Sequence, residues 1–99
     1  MKAVILAAGQ GTRLWPLTRS LPKCLVQVHS KPIMQYQLEC LDRASIQECI
    51  IVVGYLGHQV QRRFGSRSGN MHLTYITNER FRDTNNLYSL WLARQELLE

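Results

Sequence analysis

Lys2-Ala3-Val4-Ile5-Leu6-Ala7-Ala8-Gly9-Gln10-Gly11-Thr12-Arg13, continued through Pro16 and Pro22 to Lys23, decides how this chain is read. Lys2 to Ala8 carries a short apolar run that predicts a buried β-strand. Gly9 and Gly11 stand at its end, where missing side chains let backbone N–H groups approach a ligand closely. Arg13 and, ten residues later, Lys23 supply the cations that a polyphosphate requires. The stretch therefore reads as a strand followed by a nucleotide-phosphate loop.

Outward from this stretch, strands and helices alternate. Residues 9–31 form a long loop, with a short helical turn and a small extended piece at Leu25–Val28. Pro32 stands where a first helical residue belongs, and Ile33 to Ala44 follows as a helix with Met34, Leu38 and Leu41 at helical spacing. Glu48 to Val53 contains the unbroken apolar run CIIVV, which predicts a strand buried on both faces, as in a parallel sheet. Tyr55 to Phe64 reads as a second helix stopped by Gly65, and residues 65–70 as a polar turn. Met71 to Ile76 alternates as a third strand, and Asn85 or Asn86 caps a last helix. The fold class is α/β with parallel strands, and ligands in such sheets bind at the strands' carboxyl ends.

Composition narrows the function. The chain has 99 residues, enough for one small domain, with 45% hydrophobic and 19% charged residues. Its net charge of +5 comes from scattered cations; Arg62, Arg63 and Arg67 make one loose cluster without interleaved aromatics. A solvated helix face explains that cluster better than nucleic acid. Cys24, Cys40 and Cys49 are odd in number and have no CxxC spacing, which argues against disulfides or zinc and for a reducing cytoplasm. No segment approaches the roughly 20 apolar residues of a membrane span.

Three phosphate-binding loops compete for the glycines. Walker A needs a Gly-Lys-Ser/Thr ending, which is missing. The dinucleotide fingerprint GxGxxG fails at Leu14, and His29 stands near the place of its acidic ribose anchor. The third fits: Leu6-Ala7-Ala8-Gly9-Gln10-Gly11-Thr12-Arg13-Leu14, then Pro16-Leu17-Thr18, then Pro22-Lys23, resembles the signature of nucleotidyltransferases that activate sugar phosphates and choline phosphate. Thr84-Asn85-Asn86-Leu87-Tyr88-Ser89-Leu90 is similar to the NNxYSL segment of bacterial choline-phosphate and phosphonate cytidylyltransferases.

The resemblance implies a Rossmann-like three-layer fold and transfer of a nucleoside monophosphate, CMP from CTP, to a phosphorylated acceptor with release of pyrophosphate. The acceptor stays open among choline phosphate, a phosphonate and a sugar phosphate. Arg13 and Lys23 are the implied catalytic cations, at the β,γ- and α-phosphates respectively. Leu6, Ala7, Ala8, Gly9, Gln10, Gly11 and Thr12 are implied in nucleotide binding, and Asn85, Asn86 and Ser89 in contacts to base or ribose. Each has a plainer reading: Asn85 serves equally well as a helix cap, and Gly9 and Gly11 as a turn.

The family also uses magnesium held by aspartates. Here the aspartates are Asp42 and Asp83, and neither matches a ligand position. The chain is expected to be the amino-terminal part of a nucleotidyltransferase domain, ending after about three strand–helix units. Its first strand is expected to keep an open edge, available for self-association or a partner chain. The rival expectation is a non-catalytic nucleotide-binding or regulatory remnant that lacks the metal site.

Overall fold

A computed structural model describes residues 2–9, 15–81 and 86–94, the last range without the side chains of 86 and 87. The elements follow one another as β1 (Lys2–Ala7), a 3-10 turn (Lys23–Leu25), β2 (Gln27–Val28), β3 (Lys31–Pro32), α1 (Ile33–Arg43), β4 (Glu48–Val53), α2 (Gly57–Phe64), β5 (Arg67–Ser68), β6 (Met71–Thr77) and α3 (Asn86–Leu92). The main sheet has the order β1-β4-β6-β5. β1, β4 and β6 are parallel, while β5 turns back antiparallel on β6. β2 and β3 form a separate hairpin.

Two-residue periodicity divides the side chains of the parallel strands between two layers. On one face, Cys49, Ile51 and Val53 of β4 and Met71 and Leu73 of β6 bury against Met34 and Leu38 of α1 and Val60 of α2. Ile50 and Val52 point the other way and cluster with Ala8 and with Ala93, just beyond α3. A helical layer on each face explains why β4 is buried from Cys49 to Val53. Met34 and Leu38 are wholly inaccessible, each contributing about 1.5–3 kcal/mol relative to exposure. Among the described residues β1 pairs on one side alone, and all six of its residues are half-buried.

The strand boundaries at 48–53 agree with the expectation, and three local departures have physical causes. Pro32 caps α1 from outside instead of opening it. The second helix starts at Gly57 rather than Tyr55, because Leu56 is left-handed (φ 54°) and the Tyr55 N–H bonds to the carbonyl of Ala8, 3.2 Å away. Residues 65–70 are more than a turn: Arg67 and Ser68 pair with His72 and Met71 across a tight turn, opened by Gly69 at φ 59°.

The end of α1 carries a measurable strain. The Ile46 N–H bonds to Leu41 O (3.1 Å) and the Ser45 N–H to Asp42 O (3.0 Å), the double bond of a Schellman cap. Its left-handed residue is Ser45, φ 64°, where glycine is usual. Ser45→Gly is expected to stabilise the chain by about 0.5–1 kcal/mol. Urea unfolding checks this, and a lower midpoint would contradict it.

No helix among the described residues is long and apolar enough to cross a membrane.

Candidate functional site

The parallel ladders run in step, so Ala7, Val53 and Thr77 end level with one another. The segments leaving these ends are therefore brought together. The Asn78 N–H continues the ladder onto Val53 O at 2.7 Å, and Tyr55 N–H reaches Ala8 O. Gly54 sits in the middle of this junction: a Cβ there would lie 2.8 Å from the Phe81 Cβ and 3.0 Å from the carbonyl oxygens of Ala8 and Asn78.

Beside β1 opens a cleft of about 270 Å³ lined by Ile5, Leu6, Ala7, Gly9, Lys23, Cys24, Ile33 and Gln37. Its strand side is apolar, and Lys23 brings a cation to it. Such a cleft suits a ligand with a flat apolar part and an anionic part. Lys23 is exposed at the start of the 3-10 turn, and no carboxylate pairs with it among the described residues. Gly9 is exposed, its φ lies outside the left-handed region, and no described atom comes within 4 Å of an added Cβ. Neither backbone conformation nor described packing requires glycine here, in contrast to Gly54.

The cleft thus unites four of the sequence-derived residues: Leu6, Ala7, Gly9 and Lys23. Ala8 is buried in the second core cluster instead. Gln10, Gly11, Thr12, Arg13 and Asn85 lie outside the described residues, as does the side chain of Asn86. Ser89 is only 2% exposed, and its hydroxyl accepts a bond from Asn78 Nδ2 at 3.2 Å. Asn78 Oδ1 in turn accepts the N–H of Arg80 at 2.9 Å.

Sequence reading missed Ile5, Cys24, Ile33 and Gln37 as lining residues. Ile33 and Gln37 are one helical turn apart, a spacing that could have paired them. Burial pushes the Cys24 thiol up to about 11, so it is a neutral wall at ordinary pH and not a thiolate nucleophile.

Asp42 does not fit a metal site at the cleft. Asp42 stands near the amino end of β6, whereas Gly9 and Lys23 flank the carboxyl end of β1. Its Oδ1 accepts the N–H of Asn70 at 3.3 Å, fastening the β5–β6 turn to α1. Asp83 lies outside the described residues. No group of three or more potential ligands occurs among the described residues.

Comparison with known proteins adds the following. Residues 2–98 match the nucleotidyl transferase family. The chain is 46% identical over 100 residues to the choline-phosphate cytidylyltransferase of Streptococcus pneumoniae, covering 98% of this chain and 41% of that protein. It is 34% identical over 99 residues to the mannose-1-phosphate guanylyltransferase catalytic subunit beta of Xenopus tropicalis, covering 100% of this chain and 28% of that protein. The solved structure of a CTP:phosphocholine cytidylyltransferase from Streptococcus pneumoniae superposes with a TM-score of 0.79 at 46% identity, over 97% of this chain and 40% of the other. The parallel sheet between helical layers is thus a nucleotidyltransferase-type, Rossmann-like arrangement, and the chain spans less than half the length of these relatives.

Proposed function

Because the chain belongs to the nucleotidyl transferase family, we propose that it is the amino-terminal, nucleotide-holding part of a domain that transfers CMP from CTP to a phosphorylated acceptor. The observation that carries this reading is the meeting of the β1 end, Gly9 and Lys23, which has no carboxylate partner among the described residues, around one cleft. The preference for CTP, and for choline phosphate over a phosphonate or sugar phosphate as acceptor, draws on the 46% identity to a choline-phosphate enzyme. The related guanylyltransferase argues that the base is the finer, separately testable part.

In this reading an acceptor phosphate oxygen forms a bond to the α-phosphorus, the bond from that phosphorus to the bridging oxygen breaks, and pyrophosphate departs. The attacking oxygen is already ionised near neutral pH, so charge neutralisation and alignment matter more than a general base. Leu6 and Ala7 give the base an apolar wall, with Ala8 fixing the strand end behind them. Gly9, Gln10, Gly11 and Thr12 offer backbone N–H groups to the phosphates. Arg13 holds the β- and γ-phosphates, and Lys23 meets the charge at the α-phosphate. Asn85 and Asn86 face base or ribose, with Ser89 acting through the Asn78 side chain it fixes. The described carboxylates do not fit magnesium, so no step is assigned to a metal. The rival reading is a nucleotide-binding remnant without transfer. The proposal also takes the reaction to be cytoplasmic and the edge of β1 that is unpaired among the described residues to be available to a second copy or a partner chain.

A thermal-shift series with CTP, UTP, dTTP, ATP and GTP tests the binding. Ligand at 100 times its Kd stabilises by about 2.7 kcal/mol. CTP is expected to raise Tm selectively. No response to any nucleotide would sink the proposal.

A further inference from the structure

Three successive backbone carbonyls, those of Thr18, Arg19 and Ser20, meet side-chain donors that lie 36 to 39 residues further along the chain. The Tyr55 hydroxyl stands 2.7 Å from Thr18 O and 2.9 Å from Arg19 O, one proton serving two acceptors. Gln59 Nε2 donates to Ser20 O at 2.9 Å. This is the segment that leads into Lys23, and it has little regular structure of its own: Arg19 N–H closes one turn onto Pro16 O, and Pro22 precedes the 3-10 turn in extended conformation. The Tyr55 main chain is itself tied to the end of β1 through Ala8 O, and its ring packs at 5.9 Å against Phe81, beyond β6. One residue thereby fastens the segment before Lys23 to two of the three parallel strand ends.

We propose that Tyr55, seconded by Gln59, is a positioning residue for nucleotide binding: it holds residues 18–20 so that Lys23 stands ready at the cleft. The proposal rests on the nucleotide-binding reading above. Its physical basis is preorganisation. A loop already ordered before the ligand arrives loses less conformational entropy on binding. The bonds to the Arg19 and Ser20 carbonyls are exposed, so water can replace those donors, whereas the bond to Thr18 O is part-buried and is the one whose loss frees the segment.

Tyr55→Phe in the full chain removes the hydroxyl alone. Tyr75→Phe is the matched control, because Tyr75 also donates its hydroxyl to a carbonyl, Gly65 O at 2.8 Å, and makes no bond to residues 18–23 and does not line the cleft. Amide hydrogen exchange over residues 18–23 is expected to quicken at least several-fold in Tyr55→Phe and to stay unchanged in Tyr75→Phe. CTP Kd is expected to weaken about 5- to 10-fold in Tyr55→Phe, the scale of one or two ordered side chains. In a Lys23→Ala background the same change is expected to add less than about twofold, because coupled residues are non-additive. A chain that binds CTP normally, with unchanged exchange or Kd in Tyr55→Phe, or with fully additive losses, would overturn the positioning role and leave the nucleotide-binding reading intact. A wild-type chain that binds no nucleotide would overturn both.

Discussion

Gly54→Ala is expected to lower the stability of the chain by about 1–3 kcal/mol, the cost of overpacking a site that cannot yield. The added Cβ would meet the Phe81 Cβ at 2.8 Å and two backbone oxygens, those of Ala8 and Asn78, at 3.0 Å. Real Cβ atoms do not sit this close, so something must move. Both oxygens belong to segments anchored to the sheet: the Ala8 oxygen accepts the Tyr55 N–H, and the Asn78 N–H bonds to Val53 O. Relief at one contact therefore strains the others. In a domain of this size 1 kcal/mol corresponds to roughly 4–8 °C, so Tm should fall by about 5–20 °C. Thermal unfolding followed by circular dichroism is the check. An unchanged Tm would mean that the three segments are not packed as described.

The second large effect lies in binding and should leave stability alone. Lys23→Ala is expected to weaken CTP binding about 10- to 100-fold, matching the roughly 1.5–3 kcal/mol of a hydrogen bond to a charged group. Lys23 is exposed and has no carboxylate partner among the described residues, so its removal should change folding stability by less than about 0.5 kcal/mol. Gly9→Ala belongs to the same test. No described atom lies within 4 Å of the new Cβ, yet that methyl group would occupy space at the cleft needed for backbone approach to a phosphate. It should weaken CTP at least about tenfold, again with an unchanged Tm, an effect of about 1.4 kcal/mol. Calorimetric titration of both variants decides the matter: wild-type affinity in both would remove the phosphate role from this loop. Two glycines at strand ends thus take opposite phenotypes, Gly54 through folding and Gly9 through ligand.

The first strand and the Glu48–Val53 strand were legible because each depends on local pattern. CIIVV has no polar face to expose, which requires cover on both faces; its place between β1 and β6 is set by the sheet order. β5 was hidden because its two residues, Arg67 and Ser68, are polar and pair through backbone groups that leave no trace in side-chain pattern. Tyr55 looked like the first residue of a helix. Its hydroxyl partners lie 36 and 37 residues away, beyond any local spacing rule. Asp42 could be discounted as a metal ligand from its place in the sequence, but what it does instead, holding the Gly69–Asn70 turn, depends on how α1 lies against the β5–β6 hairpin.

The sequence by itself determined the alternation of strand and helix and the family signature, and it named Gly9 and Lys23 as candidates, since these follow from periodicity, turn chemistry and fixed offsets along the chain. Tertiary structure alone decided which residues share the cleft, why Gly54 must be glycine while no described atom requires it at Gly9, and that Tyr55 grips the segment before Lys23. Those facts arise where the level ends of β1, β4 and β6 bring separate loops together, and contact between loops is set by the register of the sheet, not by distance along the chain.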